Sequence, residues 1–403
     1  MILYILIAII ACIILFFMYI RLKYRFWSLQ PVFHFYDLYY WFINVGVIRK
    51  ELPEKNKFVS LKKIKTKQFN YIDELTKKRI VTLIKLNYFI NSHNKNNRYD
   101  PKIENIVPYF IGHDYPTFWS YYTEPELLID NKSGKTIDED KIIGVITGRP
   151  LHVNINCGRS DSNFNVYYID YLCVSKYWRK KNIAQQLIQT HEFNQSHNNK
   201  KICVSLFKRE EELTGIIPLT VYKAYCFNMK NWRTPMPLNP QITLLTGDKQ
   251  NMYYFNNFIK ETNKWDIIIY PHISNIIELI NSNNMFIKML LIDGEIECAY
   301  VFKKTCTYIE KNKEIISCIC SIKSLNKKIT QDIFINGFKN ALWSIINGTN
   351  NYKYLLIENI SDNHQIINNI SIKTFPTAVS PMAYFFYNFA YSPFKSEKCL
   401  IIN

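Results

Sequence analysis

The stretch Asp170-Tyr-Leu-Cys-Val-Ser-Lys-Tyr-Trp-Arg-Lys-Lys-Asn-Ile-Ala-Gln-Gln-Leu-Ile188 joins an apolar run, a basic turn and the start of an amphipathic segment. Apolar residues alternate from Val166 to Val174 in the manner of a β-strand. From about Lys180 to Phe193 the spacing becomes that of a helix, whose apolar face is formed by Ile183, Leu187 and Ile188. The stretch therefore predicts a strand, a loop and a helix in direct succession.

The turn between this strand and this helix predicts an anion-binding site. The first N–H groups of a helix lack partners within the helix, and the helix dipole adds partial positive charge there. Formal charge at the same place comes from Arg179, Lys180 and Lys181. The spacing Arg179-x-x-Asn182-x-Ala184 resembles the pyrophosphate-binding turn of the GNAT acyltransferases, whose usual pattern is Arg/Gln-x-x-Gly-x-Gly/Ala. On the evidence of this turn alone, the alternative stays open that it is the basic start of a helix on an ordinary protein surface.

Strand and helix patterns also alternate in the rest of the chain. Further strands are predicted at Lys141–Thr147, Phe286–Ile292, Glu297–Phe302, Ile315–Ile322 and Tyr352–Glu358, and a helix is predicted at Thr330–Ile346. No linker rich in Pro, Gly or Ser divides residues 24 to 403, so we expect two halves fused through a shared sheet. The fold class is therefore α/β or α+β, with an open, mostly antiparallel sheet in each half.

The N-terminal segment predicts a membrane anchor. Residues Ile2 to Ile20 carry no charge, and at ~1.5 Å per residue they nearly match the ~30 Å hydrocarbon layer. A basic stretch, Arg21-Leu-Lys-Tyr-Arg25, follows the span and places the remaining chain on the cytosolic side. A cleaved signal peptide would begin with a basic region, which is missing here. The alternative is a helix buried in the protein.

Composition and charge narrow the classes of function. Lys and Arg total 50 against 33 Asp and Glu, a formal charge of +17 that attracts nucleic acid, anionic lipid or a polyanionic cofactor. No zinc finger, helix-turn-helix signature or RNA-binding aromatic motif accompanies the charge, so we expect no specific nucleic-acid partner. The 10 cysteines lack metal-ligand spacing, which predicts reduced thiols and no metal site.

Four segments carry a resemblance to one family. Arg25-Phe-Trp-Ser-Leu-Gln-Pro-Val32 resembles the entry motif Phe-Trp-x-Thr-Gln-Pro-Val of the N-myristoyltransferases. The segment from Ile169 to Lys176 resembles their signature Ile-Asn-Phe-Leu-Cys-Val-His-Lys, and Met382 to Phe389 resembles Leu-x-Tyr-Tyr-Leu-Tyr-Asn-Trp. The tail from Ser396 to Asn403 is similar to Ala-Glu-Lys-Val-Gly-Leu-Val-Leu. These motifs span about residues 24 to 403 in the family order.

The resemblance implies a fold and an activity. After an anchor at residues 1–22, it implies a GNAT-like acyl-CoA-binding domain at 23–235 and a GNAT-like peptide-binding domain at 236–403. The implied reaction transfers a myristoyl group from myristoyl-CoA to the N-terminal glycine of a protein, at a membrane. Myristoyl-CoA would be a substrate, and no permanently bound cofactor is expected.

The resemblance also assigns roles to residues. The backbone N–H groups of Tyr171 and Leu172 would form an oxyanion hole, and the C-terminal carboxylate on Asn403 would accept the proton. The implied CoA-binding set is Arg25, Phe26, Trp27, Leu172, Cys173, Val174, Arg179, Lys180, Lys181, Asn182, Ile183 and Ala184. The implied peptide-binding set is Asp170, Thr214, Tyr384 and Asn388.

Departures from the family pattern fall on functional positions. The signature Asn and His are replaced by Asp170 and Ser175, and a further family histidine is replaced by Phe227. The Gly-rich run with its Asp is replaced by a segment holding Pro376 and Val379. These losses lie on the peptide side, so a second hypothesis is a non-catalytic relative that binds acyl-CoA or acylated N-termini in a membrane or virion. The Asn-, Ile- and Lys-rich composition is typical of a large DNA virus or a parasite.

Overall fold

Nine α-helices and seventeen β-strands are formed by the residues that the computed structural model describes, which are 1–88, 97–129, 136–156, 162–210, 215–309, 313–348 and 351–403. The helices are α1 (Ile2–Tyr24), α2 (Leu38–Phe42), α3 (Glu74–Asn87), α4 (Ile103–Ile106), α5 (Ile183–Asn198), α6 (Met252–Glu261), α7 (Ile273–Asn281), α8 (Gln331–Ile346) and α9 (Asn363–Ser371). The strands are β1 (Gly46–Val47), β2 (Ile64–Gln68), β3 (Asn97–Tyr99), β4 (Phe118–Ile129), β5 (Thr136–Ile155), β6 (Ser162–Val174), β7 (Val204–Glu210), β8 (Thr220–Asn228), β9 (Ile242–Thr246), β10 (Ile267–Tyr270), β11 (Met285–Ile292), β12 (Glu295–Ile309), β13 (Glu314–Lys323), β14 (Tyr352–Glu358), β15 (Ala378–Tyr387), β16 (Phe389–Ala390) and β17 (Cys399–Ile401).

One sheet of 15 strands joins both halves of the chain. Its order is β17-β10-β5-β6-β7-β15-β8-β14-β13-β12-β11-β9, with β4 also pairing with β5, β2 with β4 and β3 with β12. The pairs β6–β7, β13–β14 and β10–β17 are parallel, and the other pairs are antiparallel. The predicted mixed, mostly antiparallel α/β class is confirmed, and the halves do share a sheet.

Strands from each half enter the other half. The early strand β3 pairs with β12, and the late strand β15 lies between β7 and β8. Hydrogen bonding therefore does not stop at the predicted boundary between residues 235 and 236. That boundary stays a prediction. It would divide two related units that share one sheet.

The helix predicted from Lys180 to Phe193 is displaced. It begins at Ile183 and continues to Asn198. Lys180 and Asn182 have φ angles of 63° and 59°, a left-handed conformation that ends the preceding turn and cannot continue into a right-handed helix. Asn tolerates this conformation better than most residues, which explains how the turn closes without glycine.

Helix α5 packs on the sheet through the apolar face that the sequence predicts. Ile183 and Leu187 are buried in a cluster with Ile64, Tyr122 and Ile143 from β2, β4 and β5. Farther along α5, polar side chains that the apolar spacing did not mark are also buried, and His191 and Glu192 are among them. A second core forms where α8 and α9 pack against β11–β14.

Helix α1 projects its apolar surface outward. Residues 1–19 are all exposed, and Ile2–Tyr24 is long and apolar enough to cross a membrane. Phe16 and Phe17 contact Phe35 and Tyr36 at ring distances of 6.4 and 6.2 Å. The alternative of a helix buried in the protein does not apply to this structure.

Candidate functional site

The site begins where β6 and β7 separate. The two strands pair in parallel only along Val166–Ile169 and Val204–Phe207. Beyond that point a cavity of about 810 Å³ opens between them. Its lining residues are Lys23, Tyr24, Arg25, Phe26, Trp27, Tyr88, Ile146, Tyr168, Ile169, Asp170, Tyr171, Leu172, Ala184, Gln185, Ile188, His191, Glu192, Ser205, Phe207, Lys208, Arg209, Glu210 and Tyr387.

The cavity reaches both faces of the sheet. Successive residues of a strand point to opposite faces. Ile169 packs with the α5 cluster and Ser205 contacts Glu192 of α5, whereas Lys208 pairs with Glu358 on the other face. We call the part lined by Ile146, Ile169, Ile188, His191, Glu192, Ser205, Phe207 and Tyr387 the helix-side chamber. The part lined by Tyr88, Tyr168, Asp170, Lys208 and Glu210 is the far-side chamber.

A β-bulge in β6 lies between the two chambers. The register with β5 shifts so that Tyr171 and Leu172 have no partner opposite them, and Tyr171 has a φ of 49°. Both predicted oxyanion-hole residues therefore line the cavity. The N–H of Tyr171 donates to Oδ1 of Asp170 at 2.8 Å, so this donor is already engaged.

The entry motif closes one side of the cavity. Arg25, Phe26 and Trp27, three residues of the predicted CoA-binding set, all line it. The Trp27 ring stacks on Phe207 of β7 at 5.7 Å. The segment that leaves α1 therefore forms part of the cavity wall.

The basic turn lies beside the cavity, and two of its cationic side chains contact other groups of the protein. Arg179 donates through Nη2 to the carbonyl oxygen of Asn87 at 2.7 Å and through Nε to that of Val174 at 3.3 Å. Lys181 lies over the Trp178 ring at 4.2 Å. The Arg179 contacts brace the turn against α3, and a role of Arg179 in binding phosphate stays a prediction.

The other residues of the predicted CoA set divide into exposed and buried positions. Lys180 and Asn182 are exposed, and Ala184 lines the cavity. Ile183 is buried in the core. Cys173 points toward α3 in the core, and burial raises the pKa of its thiol to about 12.

The predicted peptide set is scattered. Asp170 lines the far-side chamber, and Thr214 lies outside the described residues. Tyr384 is fully buried, and its hydroxyl accepts from Nδ2 of Asn403 at 3.1 Å. Asn388 is buried, and its side chain bonds to the backbone of Arg49 and Cys203. Of the three members of this set that the structure describes, Asp170 alone lines the cavity.

Asn403 is held in the interior. The preceding residue, Ile402, donates its N–H to the carbonyl oxygen of Ile269, which extends the pairing of β17 with β10. The main-chain oxygen of Asn403 accepts from Nζ of Lys303 at 3.2 Å. A main-chain carboxylate on Asn403, as the resemblance implies, would therefore lie against the Lys303 ammonium.

No sequence pattern predicted the cationic side chains near the far-side chamber. Arg149 of β5 is fully buried between the rings of Tyr109 and Tyr168, at 4.9 and 5.0 Å, and its guanidinium nitrogens have no hydrogen-bond partner among the described residues. Burial, reinforced by Arg149, lowers the pKa of Lys303 to about 8. The only sequence signal was an arginine inside an apolar strand run.

Titratable side chains also line the helix-side chamber. Burial raises the pKa of Glu192 to about 7 and lowers that of His191 to about 4. Glu192 accepts from Ser196 at 3.2 Å and Ser205 at 3.5 Å, and Nδ1 of His191 lies 2.8 Å from Ser120 Oγ. No motif marked these residues, because their position depends on how α5 packs on the sheet.

Apart from Asp170, the positions that depart from the family pattern have ordinary structural surroundings. Ser175 donates its N–H to the carbonyl oxygen of Ile143. Phe227 is fully buried in the second core, and Val379 is 45% exposed on β15. Pro376 lies just before that strand. None of these four lines the described part of the cavity.

Comparisons with known proteins agree with this geometry. Residues 118–218 match the model of the N-terminal domain of the Myristoyl-CoA:protein N-myristoyltransferase family. These residues carry β4 to β7, α5 and the bulge. No curated protein sequence matches the chain.

Solved structures extend the likeness to the fold of nearly the whole chain. Saccharomyces cerevisiae N-myristoyltransferase with bound myristoyl-CoA is 13% identical, with a TM-score of 0.66 over 93% of this chain and 94% of that one. A second structure of that enzyme gives a TM-score of 0.70 over 93% and 89%. A tandem GNAT protein from the clavulanic acid biosynthesis pathway, 9% identical, gives 0.52 over 82% and 100%.

The chain thus has a GNAT-like fold. The resemblance to N-myristoyltransferases that the motifs indicated is confirmed, in sequence over residues 118–218 and in fold over 93% of the chain.

Proposed function

We propose that this protein transfers a fatty acyl group from acyl-CoA to the N-terminal glycine of an acceptor protein. The observation that carries the proposal is the β6 bulge at Tyr171 and Leu172, between the helix-side and far-side chambers. The matching family and the yeast structures with bound myristoyl-CoA support myristoyl-CoA as the donor to test first.

The proposed reaction is a direct transfer. The glycine ammonium in the far-side chamber gives one proton to a base, and the amine then attacks the thioester carbonyl. The N–C bond forms, the C–S bond breaks and the CoA thiolate takes the second proton. The N–H groups of Tyr171 and Leu172 would stabilise the negative oxygen formed on the way. No covalent enzyme intermediate is needed.

Asp170 would control one of these donors. Its carboxylate holds the N–H of Tyr171 and lies 3.4 Å from the hydroxyl of Tyr88. An arriving glycine ammonium would attract this carboxylate, because opposite charges pair strongly where water is scarce. Rotation of Asp170 toward the ammonium would release the N–H of Tyr171 for the thioester oxygen.

The proposed base is the main-chain carboxylate of Asn403. It is buried at the end of β17, and desolvation makes a carboxylate more basic. Lys303, 3.2 Å away, opposes this effect because a neighbouring cation stabilises the charged carboxylate. The balance between burial and Lys303 decides whether Asn403 can accept a proton.

A second candidate is binding of acyl-CoA or acylated N-termini without transfer, in a membrane or virion. Two observations favour it: Asp170 occupies the N–H of Tyr171, and Lys303 neutralises the proposed base. Under this hypothesis the cavity would hold the ligand while the acceptor side stays inactive.

We also propose that α1 crosses a membrane and leaves the rest of the chain on the cytosolic side. Its exposed apolar surface and the basic residues Arg21 and Lys23 in its last turn support this placement. N-terminal sequencing of the membrane-bound protein would find Met1 or Ile2 if α1 is an anchor. A new N-terminus beyond Tyr24 would identify it as a removed signal sequence.

The test of transfer uses the full chain in lipid nanodiscs with myristoyl-CoA and peptides that begin with Gly. Mass spectrometry is expected to find acylated peptide above the nanodisc control. A chain extended beyond Asn403 by two residues is expected to lose transfer while retaining acyl-CoA binding in calorimetry. Binding without product in the unextended chain would support the second candidate. Unchanged transfer by the extended chain would refute Asn403 as the base.

A further inference from the structure

The helix-side chamber changes character along its length. Near the bulge its walls are apolar, formed by Ile146, Ile169, Ile188 and Phe207. Its inner end is formed by His191, Glu192, Ser205 and Tyr387, all of which carry polar atoms. A saturated acyl chain fits the first part, but its methyl end would meet polar groups in the second.

Glu192 retains capacity for another hydrogen bond. Its two bonds, from Ser196 at 3.2 Å and from Ser205 at 3.5 Å, are longer than the 2.5–3.0 Å usual for a hydroxyl donor. A carboxylate offers about four acceptor positions, and a protonated carboxyl can also donate. A ligand hydroxyl could therefore bind Glu192 in either protonation state.

His191 and Tyr387 are engaged by the protein itself. Nδ1 of His191 contacts Ser120 Oγ at 2.8 Å, and its Nε2 lies buried against Gln195 and Gly148. The hydroxyl of Tyr387 donates to Gln30 at 2.9 Å and accepts from Gln189 at 3.2 Å. The open hydrogen-bonding capacity at the inner end thus lies on Glu192.

A plain hydrocarbon chain is a poor occupant for such an end. It would exclude water from Glu192 without replacing the lost hydrogen bonds, and buried polar groups without partners are costly. A chain with a hydroxyl group near its end would keep the apolar contacts and restore a partner.

We propose that the acyl group bound by this protein carries a hydroxyl group at or near the end of its chain, recognised by Glu192. This inference rests on the proposed use of the cavity for an acyl-CoA, with or without transfer. Glu192 is then the residue that determines specificity for the acyl chain.

The experiment measures Kd by calorimetry for the full chain in nanodiscs, with empty nanodiscs as the blank. The probes are acyl-CoAs of 8, 10, 12 and 14 carbons and their terminally hydroxylated counterparts. For the chain length that reaches Glu192, the hydroxyl is expected to tighten binding about tenfold, the effect of one buried hydrogen bond.

Three variants test whether Glu192 is the residue that recognises the hydroxyl group. Glu192→Leu is expected to abolish the preference for the hydroxyl and to tighten binding of the plain chain. Ser205→Ala keeps the carboxylate and should preserve the preference. Gln186→Leu makes the same polar-to-apolar change on α5 at a residue that does not line the cavity, and it is expected to leave the preference unchanged.

The outcomes separate this inference from the proposed function. Plain chains binding as tightly as hydroxylated ones at every length, or a hydroxyl preference that survives Glu192→Leu, would overturn the inference alone. Failure of every acyl-CoA to bind a folded protein would overturn the proposed function together with it.

Discussion

At the scale of single residues, Glu192 and His191 make opposite contributions to stability as pH changes. Burial raises the pKa of Glu192 from 4.5 to about 7, so between these values the folded state retains a proton that the unfolded state releases. The contribution of Glu192 to stability therefore falls as pH rises from 4.5 to 7. The pKa of His191, lowered from 6.5 to about 4, makes stability rise with pH from 4 to 6.5.

We predict that Glu192→Gln removes the first contribution and leaves the second. The stability of the variant relative to the wild type should increase between pH 4.5 and 7, by about 3 kcal/mol at most. Chemical denaturation in buffers across this range measures the difference. Glu261→Gln, at an exposed position of α6, is the control. A difference independent of pH would show that Glu192 is not desolvated.

The buried guanidinium of Arg149 leads to a second prediction at this scale. Its nitrogens have no hydrogen-bond partner among the described residues, and the rings of Tyr109 and Tyr168 pack against it. Arg149→Met retains the apolar stem and removes an uncompensated charge, so it should stabilise the protein by about 1–3 kcal/mol. Thermal unfolding measures this effect, with Arg233→Met at an exposed position as the control. Destabilisation by Arg149→Met would mean that the ring contacts outweigh the burial of the charge.

At the scale of elements, the end of α3 holds the basic turn in place. Oδ1 of Asn87 accepts from the N–H of Lys176 at 2.9 Å. The main-chain carbonyl oxygen of Asn87 accepts from Arg179 at 2.7 Å. Asn87→Ala removes the first bond and should loosen the turn, weakening acyl-CoA binding about threefold to tenfold. Calorimetry measures this loss, and Asn198→Ala at the end of α5 is the control. Unchanged affinity would place the CoA phosphates away from this turn.

The short helix α2 presents an exposed apolar surface beside the proposed membrane span. Phe42 and Ile43 are 77% and 70% exposed, and the preceding Phe35 contacts Phe16 inside the span. We therefore expect α2 to lie in the lipid when α1 crosses a bilayer. Nanodiscs with brominated acyl chains should quench Trp41, so Trp41→Phe should show less quenching than the wild type. Trp232→Phe is the control, and equal quenching in the wild type and Trp41→Phe would place α2 outside the lipid.

At the scale of the whole molecule, the shared sheet couples the two halves. Because β15 separates β7 from β8 and β3 pairs with β12, neither half can unfold without breaking strand pairs of the other. We predict a single cooperative transition for residues after α1. Hydrogen exchange under increasing denaturant should show β7 and β13 opening together. Separate transitions for these strands would indicate two independent units.

Local patterns predicted the helices α1, α5 and α8, six of the seventeen described strands and part of the site. Alternation located β6, β11 and β14, and the entry motif at Arg25 to Trp27 does line the cavity. The helix start was misplaced because the φ angles of Lys180 and Asn182 are not encoded in apolar spacing. The positions of Arg149 and Glu192 depend on strand order and helix packing, which arise from contacts distant in sequence. The bracing of Arg179 by Asn87 likewise required the packing of α3.

The insertion of β15 between β7 and β8 has a consequence for biosynthesis. About 150 residues separate the end of β8 from the start of β15, and a ribosome needs roughly 8–30 s to add them. During that interval the facing edges of β7 and β8 have no strand between them, and unpaired edges invite association with other chains. If α1 is already inserted in the bilayer, nascent chains are held along one surface during this wait. Chaperone demand should therefore peak before residue 387 has been translated.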